Sequence, residues 1–267
     1  MVRCYAHPGL NGVVAVLPDP HPQDPRAIDD NLGHMYCISH RYRLGDPHDL
    51  SYEELCRLVE RKDVISLPLY LLDHSGLRLN TSGFSDCDPQ GWDWGLVGFI
   101  WCTRGEVLEA AGKHRLTAKL RRWAEARLEE EVRRYDSYLS GETYAVALFR
   151  PGEESPVELV AGYYGREEAE HGAMKLLAAH VADPERAQEL DPEAPPTCPF
   201  CGRSADELEA VHGIHGYATW RDGGWEEAYD QYSEGTAFHC VGCGADLTWL
   251  VEAQALAHRI SQWARQR

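Results

Sequence analysis

Four cysteines arranged as two short matching motifs are the residues of this chain best suited to chemistry. The motifs are Cys198-Pro-Phe-Cys201-Gly202 and Cys240-Val-Gly-Cys243-Gly244, with 38 residues between Cys201 and Cys240. A Cys-x-x-Cys-Gly unit is a tight turn that aims two sulfurs at one centre, and its glycine lets the backbone take a positive φ directly after the second ligand. Two such turns supply four thiolates, the closed tetrahedral set that Zn²⁺ takes in structural sites. A dithiol redox reading needs one motif at a strand-to-helix junction, and two matched knuckles favour metal over it. The sequence therefore predicts one structural Zn²⁺ on Cys198, Cys201, Cys240 and Cys243. With all four ligands drawn from protein, no position is left for water or substrate, so the expected role is to staple a small domain.

Other constellations are weaker. Cys4-x-x-His7 and Cys37-x-x-His40 have a metal-like gap but no knuckle glycine, and they read as buried cysteines with surface histidines. Asp86-x-Asp88-x-Gln90-Gly91-x-Asp93 resembles the first half of a calcium loop, but its twelfth position is Val97, where a bidentate glutamate is required. It reads as a polar turn. A hydrolase site would have to assemble in space from His40, Asp73, His74 and Asp93. Asp73 and His74 are adjacent, and neighbours on a strand point to opposite faces, so they are no ready-made dyad. Neither a Gly-x-Ser-x-Gly elbow nor a phosphate loop nor His-Glu-x-x-His occurs.

The elements that must position these residues follow from periodicity and caps. Residues 13–17, 34–44, 64–72, 77–80 and 95–102 read as strands, and 143–149 with 156–163 as a hairpin. Ser51-Tyr-Glu-Glu54 and Thr103-Arg-Gly-Glu106 are capping boxes that open short helices. From Leu116 the positions Leu120, Trp123, Leu128, Val132, Tyr135 and Leu139 keep a helical period to about residue 140, and further helices are expected over 167–181 and 252–266. Hairpin-like strand pairs and packed helices, without repeated β-α-β units, predict an α+β fold with a mainly antiparallel sheet. The expected division is an α+β domain over 1–182, an acidic proline-bearing linker over 183–197, and a small metal-binding domain over 198–267 that ends in a helix. The last region resembles the zinc-ribbon class, with a long insertion at 203–238 carrying Tyr217, Trp220, Trp225, Tyr229 and Tyr232. Those rings are read as core of the ribbon or as a docking surface onto the first domain, ahead of a protein-binding face.

Composition narrows the partners. The chain of 267 residues carries a formal charge of −17, of which residues 151–267 hold 8 basic and 21 acidic side chains. Nucleic-acid affinity rests on Lys and Arg releasing counterions, so double-stranded DNA or RNA is a poor partner for that half. No apolar run approaches the roughly 18 residues of a membrane span. The N-terminal apolar stretch at 13–17 is too short for a signal peptide. Nine cysteines, an odd number with four in knuckle spacing, fit a reducing cytoplasmic compartment.

The stretch 34–43, the run Leu67-Pro-Leu-Tyr-Leu-Leu-Asp-His-Ser-Gly76, the segment Trp92-Asp-Trp-Gly-Leu-Val-Gly-Phe-Ile100 and residues 135–141 resemble uncharacterised proteins encoded by bacteriophages and plasmids. The resemblance covers about residues 34–165. It implies a viral or mobile-element source and expression in a bacterial host, and it carries no functional residue with it. The expected function is that of a non-enzymatic, zinc-binding accessory protein that binds a host or viral protein, in one version as an acidic DNA mimic using Glu226, Glu227 and Asp230. The alternative is a hydrolase with the His/Asp site named above.

Overall fold

A computed structural model describes residues 2–39, 41–211, 215–221, 224–227 and 237–266. Its strands are β1 (Arg3–Ala6), β2 (Val13–Pro18), β3 (His34–Cys37), β4 (Val64–Asp73), β5 (Leu77–Asn80), β6 (Trp94–Thr103) and β7 (Thr143–Phe149). They continue with β8 (Glu158–Tyr164), β9 (Gln188–Leu190), β10 (Glu207–Val211), β11 (His215–Arg221), β12 (Gly224–Glu227) and β13 (Ala237–Cys240). The helices are α1 (Pro25–Ile28), α2 (Tyr52–Val59), α3 (Arg104–Ala110), α4 (Ala118–Leu139), α5 (Arg166–His180) and α6 (Thr248–Arg265). Both capping boxes form, at Ser51 with Glu54 and at Thr103 with Glu106. The fold is mixed α+β with mostly antiparallel sheets, as the sequence predicts.

The chain divides into two compact units, Met1–His21 with Tyr144–Arg267, and Pro22–Thr143. The first unit has a sheet in the order β8-β7-β2-β1-β9, with β1 antiparallel to β2 and to β9, and β2 antiparallel to β7. Strand side chains alternate between faces. Val14, Val16, Val146 and Leu148 pack with Ala169, Ala173 and Leu177 of α5. Val13, Ala15, Leu17 and Phe149 belong to a second core with Leu250, Leu256 and Ile260 of α6. A second sheet, β12-β11-β10-β13, contributes Leu208 and Cys240 to that same core.

The expected linker at 183–197 is therefore corrected. It holds a 3₁₀ turn at Pro184–Arg186 and β9, which pairs with β1 through Cys4 and Leu190. Its later carbonyls are claimed by α6: Gln254 Nε2 donates to the oxygens of Asp191 (2.6 Å) and Ala194 (2.7 Å), and the His258 ring lies 3.0 Å from that of Pro192. The boundary proposed at residue 182 thus falls inside the first unit, and the four-cysteine region is built into that unit's core.

The second unit is a sheet in the order β3-β6-β4-β5, antiparallel at every pair. Leu128 and Val132 of α4 cover one face together with Met35, Leu69 and Ile100, and Leu55 of α2 covers the other with Trp101. The strand expected over 34–44 stops at Cys37, because the chain folds back so that the Asp46 N–H reaches Met35 O at 2.7 Å.

The irregular, proline-bearing start of this unit is fixed by one buried arginine. Arg26 forks onto Asp46 (Nε–Oδ1 2.9 Å, Nη2–Oδ2 2.8 Å), and its Nη1 donates to Glu131 Oε2 of α4 at 2.9 Å. The Leu32 N–H donates to the other Glu131 oxygen at 2.7 Å. Arg26 and Glu131 side chains are each 5% exposed, so neither charge has water to fall back on. Removing one member of such a pair leaves the other buried and unpaired. Arg26→Met is expected to lower the stability of the second unit by about 3–5 kcal/mol in denaturant unfolding followed by circular dichroism; a loss under about 1 kcal/mol would show the pair to be solvated after all.

Candidate metal centre

The two knuckles are built alike. In the first, the Cys198 N–H donates to Arg203 O (2.8 Å) and the Gly202 N–H to Cys198 O (2.9 Å). In the second, the Cys240 N–H donates to Ala245 O (2.9 Å) and the Gly244 N–H to Cys240 O (2.8 Å). Both turns close through a left-handed residue, Gly202 at φ 70° and Gly244 at φ 72°. The first loop hangs on a bridge between Thr197 and Ser204, and the second leaves the end of β13.

The four sulfurs lie within 4.8 Å of one another. Cys198 Sγ is 3.8 Å from Cys243 Sγ, and Cys201 Sγ is 3.7 Å from Cys240 Sγ. A tetrahedron with metal–sulfur bonds of about 2.3 Å has edges of about 3.8 Å, so these two edges are compatible with a four-thiolate metal site. Cys198 and Cys240, the first cysteine of each knuckle, are buried in the core with Leu208 and Leu247; Cys201 and Cys243 are exposed. Burial works against ionisation of Cys240, but the N–H groups of Gly242 and Cys243 and the sulfurs of Cys201 and Cys198 bring its thiol down to about 7. The Ala245 N–H favours a Cys243 thiolate, yet burial and the other three sulfurs push that thiol up to about 12. Four sulfurs this close ionise together only when a cation neutralises them.

The other candidates separate. His74 Nδ1 stands 2.8 Å from Asp93 Oδ2, with both side chains largely exposed. Asp73 points elsewhere, its Oδ2 accepting from Arg41 Nη1 (2.7 Å) and from the Tyr42 hydroxyl (2.9 Å). His40 lies outside the described residues. The Asp88 carboxylate accepts from the N–H groups of Asp93 (2.9 Å), Gln90 (3.2 Å) and Gly91 (3.2 Å), and these bonds, that to Asp93 foremost, hold it below the usual carboxylate range. Its oxygens thus serve their own loop, as in a polar turn.

Cys4 and Cys37 are thiols that burial pushes up to about 12, and they belong to different units. His7, expected at the surface, is buried: its Nε2 meets Asp183 O at 2.8 Å and its Nδ1 accepts from the Gly9 N–H at 2.9 Å. Of the aromatic insertion, Trp220 and Trp225 are directly opposed across β11 and β12, edge to face at 5.3 Å, and Trp225 packs against the core. Tyr229, Tyr232 and Asp230 lie outside the described residues. One pair carries no signal in the sequence: His34 Nε2 meets Glu106 Oε1 at 2.8 Å across 72 positions, and the motif around Glu106 announces only a helix cap.

No protein family, curated protein or solved structure matches this chain. None of the described helices is long and apolar enough to cross a membrane.

The knuckle glycines give a direct test of the site's geometry. A Cβ at Gly244 would meet nothing within 4 Å, so substitution carries a backbone cost alone. Gly244→Ala is expected to destabilise the knuckle by about 1–2 kcal/mol. Hydrogen exchange of β13 checks this, and unchanged protection would show that the turn does not depend on its left-handed residue.

Proposed function

We propose that the protein holds one Zn²⁺ on Cys198, Cys201, Cys240 and Cys243 in a zinc-ribbon-like module, and that it works by binding another protein. The observation that carries the reading is the sulfur quartet, gathered within 4.8 Å with two cross-knuckle edges of 3.7 and 3.8 Å, which suits a tetrahedral thiolate site. When bound, the metal supplies a cross-link between the knuckles and offsets thiolate charge, with no open position for a reactant. Binding of a protein is supported by the knuckle tips, where Phe200 is 65% and Val241 41% exposed. Exposed apolar side chains mark a contact surface where they join into one patch, and the paired knuckles each present one such side chain. The acidic balance of residues 151–267 supports a partner other than nucleic acid, and it leaves room for an acidic face that imitates DNA. With the resemblance over residues 34–165, this reading makes the chain a cytoplasmic accessory protein of phage or mobile-element type.

Purified protein should contain about one Zn²⁺ per chain by metal analysis, and Cys198→Ser should lose it. Because Cys198 and Cys240 share a core with α6, that loss should loosen the first unit and shift the emission of Trp220 and Trp225, while the second unit keeps its structure. Full zinc in the Cys198→Ser protein would sink the four-cysteine assignment. Phe200→Ser combined with Val241→Ser should keep the zinc and lose the partner captured from bacterial lysate. Retained capture would move the contact surface elsewhere.

A second reading, hydrolysis at His74, is favoured by one observation, its 2.8 Å contact with Asp93. A carboxylate on Nδ1 orients the ring and leaves Nε2 for a reactant. Hydrolysis of a phosphoester or carboxylic ester by the whole protein that disappears in His74→Gln would establish it. Equal turnover in the variant would end it.

A further inference from the structure

A cleft of about 600 Å³ opens in the second unit, lined by residues that include Asp30, His34, Glu106, Glu109, Trp123 and Arg127. Glu106 is the third residue of α3 and closes its capping box: Oε2 accepts from the Thr103 N–H (2.7 Å) and hydroxyl (2.8 Å). Its other oxygen faces His34 Nε2 at 2.8 Å. Burial would raise this carboxyl, but the His34 and Thr103 bonds hold it below its usual range. An ionised carboxylate only accepts, so the bond to Glu106 is donated by the Nε2–H of His34. Among the described residues Nδ1 has no hydrogen-bond partner, and the ring is steadied against Trp101 at 4.5 Å.

The cleft is thus furnished with acceptors. The carboxylates of Asp30 and Glu109 have no ion-pair partner among the described residues, and Trp123 is 39% exposed. Arg127 is the only Lys or Arg among the lining residues. A bare metal ion is a poor occupant, because the four-cysteine quartet is the only metal-type convergence of donor atoms among the described residues. A donor-rich ligand with spread positive charge suits both the acceptors and an indole face, which attracts cations through its quadrupole.

We propose that this cleft binds a small organic cation of the amine or guanidinium class, with Asp30 and Glu109 taking its N–H groups and Trp123 lying against its charge. The site is independent of the metal centre. Agmatine, which carries both groups, is the probe, titrated calorimetrically into the full-length, metal-loaded protein. It should bind saturably at one site. Glu109→Gln and Trp123→Ala, both at exposed positions and checked for native circular dichroism, should each weaken binding about tenfold. Arg127→Gln should leave the affinity unchanged or tighten it, since it removes a like charge. The proposal is overturned by any of three results: no saturable binding to the wild type, binding that Glu109→Gln and Trp123→Ala leave intact, or loss of binding in Arg127→Gln. The second would mark diffuse attraction to an acidic protein, and the third an anion site.

Discussion

Val13, Val14, Ala15, Val16 and Leu17 are at most 3% exposed, so neither face of β2 is open to water. A strand buried on both faces reads as an unbroken apolar run, and it needs a cover on each side. Helix α5 supplies one. The other is α6, which follows directly on the second knuckle and shares a core with Cys198, Leu208, Cys240 and Leu247. Fully burying each Val or Leu contributes about 1.5–3 kcal/mol, so the cover over Val13 and Leu17 is a large fraction of what a marginally stable fold can lose. The knuckles thereby become structural for residues near the opposite end of the chain.

That arrangement explains the unequal burial of the cysteines. The first sulfur of each knuckle faces the core and the second faces water. A metal at their centre would tie an apolar interior to a solvated turn, and the energy of ligation would be shared with the packing of α6. A ribbon hung on a free linker would behave otherwise, because its unfolding would leave the sheet intact. The pairing of β9 with β1 and the hold of Gln254 on the 191–194 carbonyls remove that freedom.

What was legible in the sequence was local. The knuckle spacing, the caps at Ser51 and Thr103 and the period of α4 each span few residues, and each is set by chemistry within one turn or one helix face. What was not legible depends on partners far along the chain. Arg26 and Glu131 are 105 positions apart, His34 and Glu106 are 72 apart, and no spacing rule joins them. The linker reading failed for a related reason: Pro192, Pro195 and Pro196 do limit regular structure there, but carbonyls without a strand partner can be satisfied by side chains of a distant helix. His7 was misplaced because a histidine with both ring nitrogens bonded to backbone can be buried at little cost.

The two units also differ in the kind of chemistry they can support. The first gathers sulfur at a closed centre and is strongly acidic; residues 198–267 hold 5 basic and 10 acidic side chains. Zinc held by four thiolates carries a net charge of about −2, so metal loading leaves the module anionic. Ribbons that grip nucleic acid need the opposite field. The second unit gathers nitrogen and oxygen in an open cleft at His34 and Glu106, with no thiolate among the lining residues. An anionic, apolar-tipped knuckle suits contact with a macromolecule, whereas a cleft of acceptors beside an exposed indole suits a small solute.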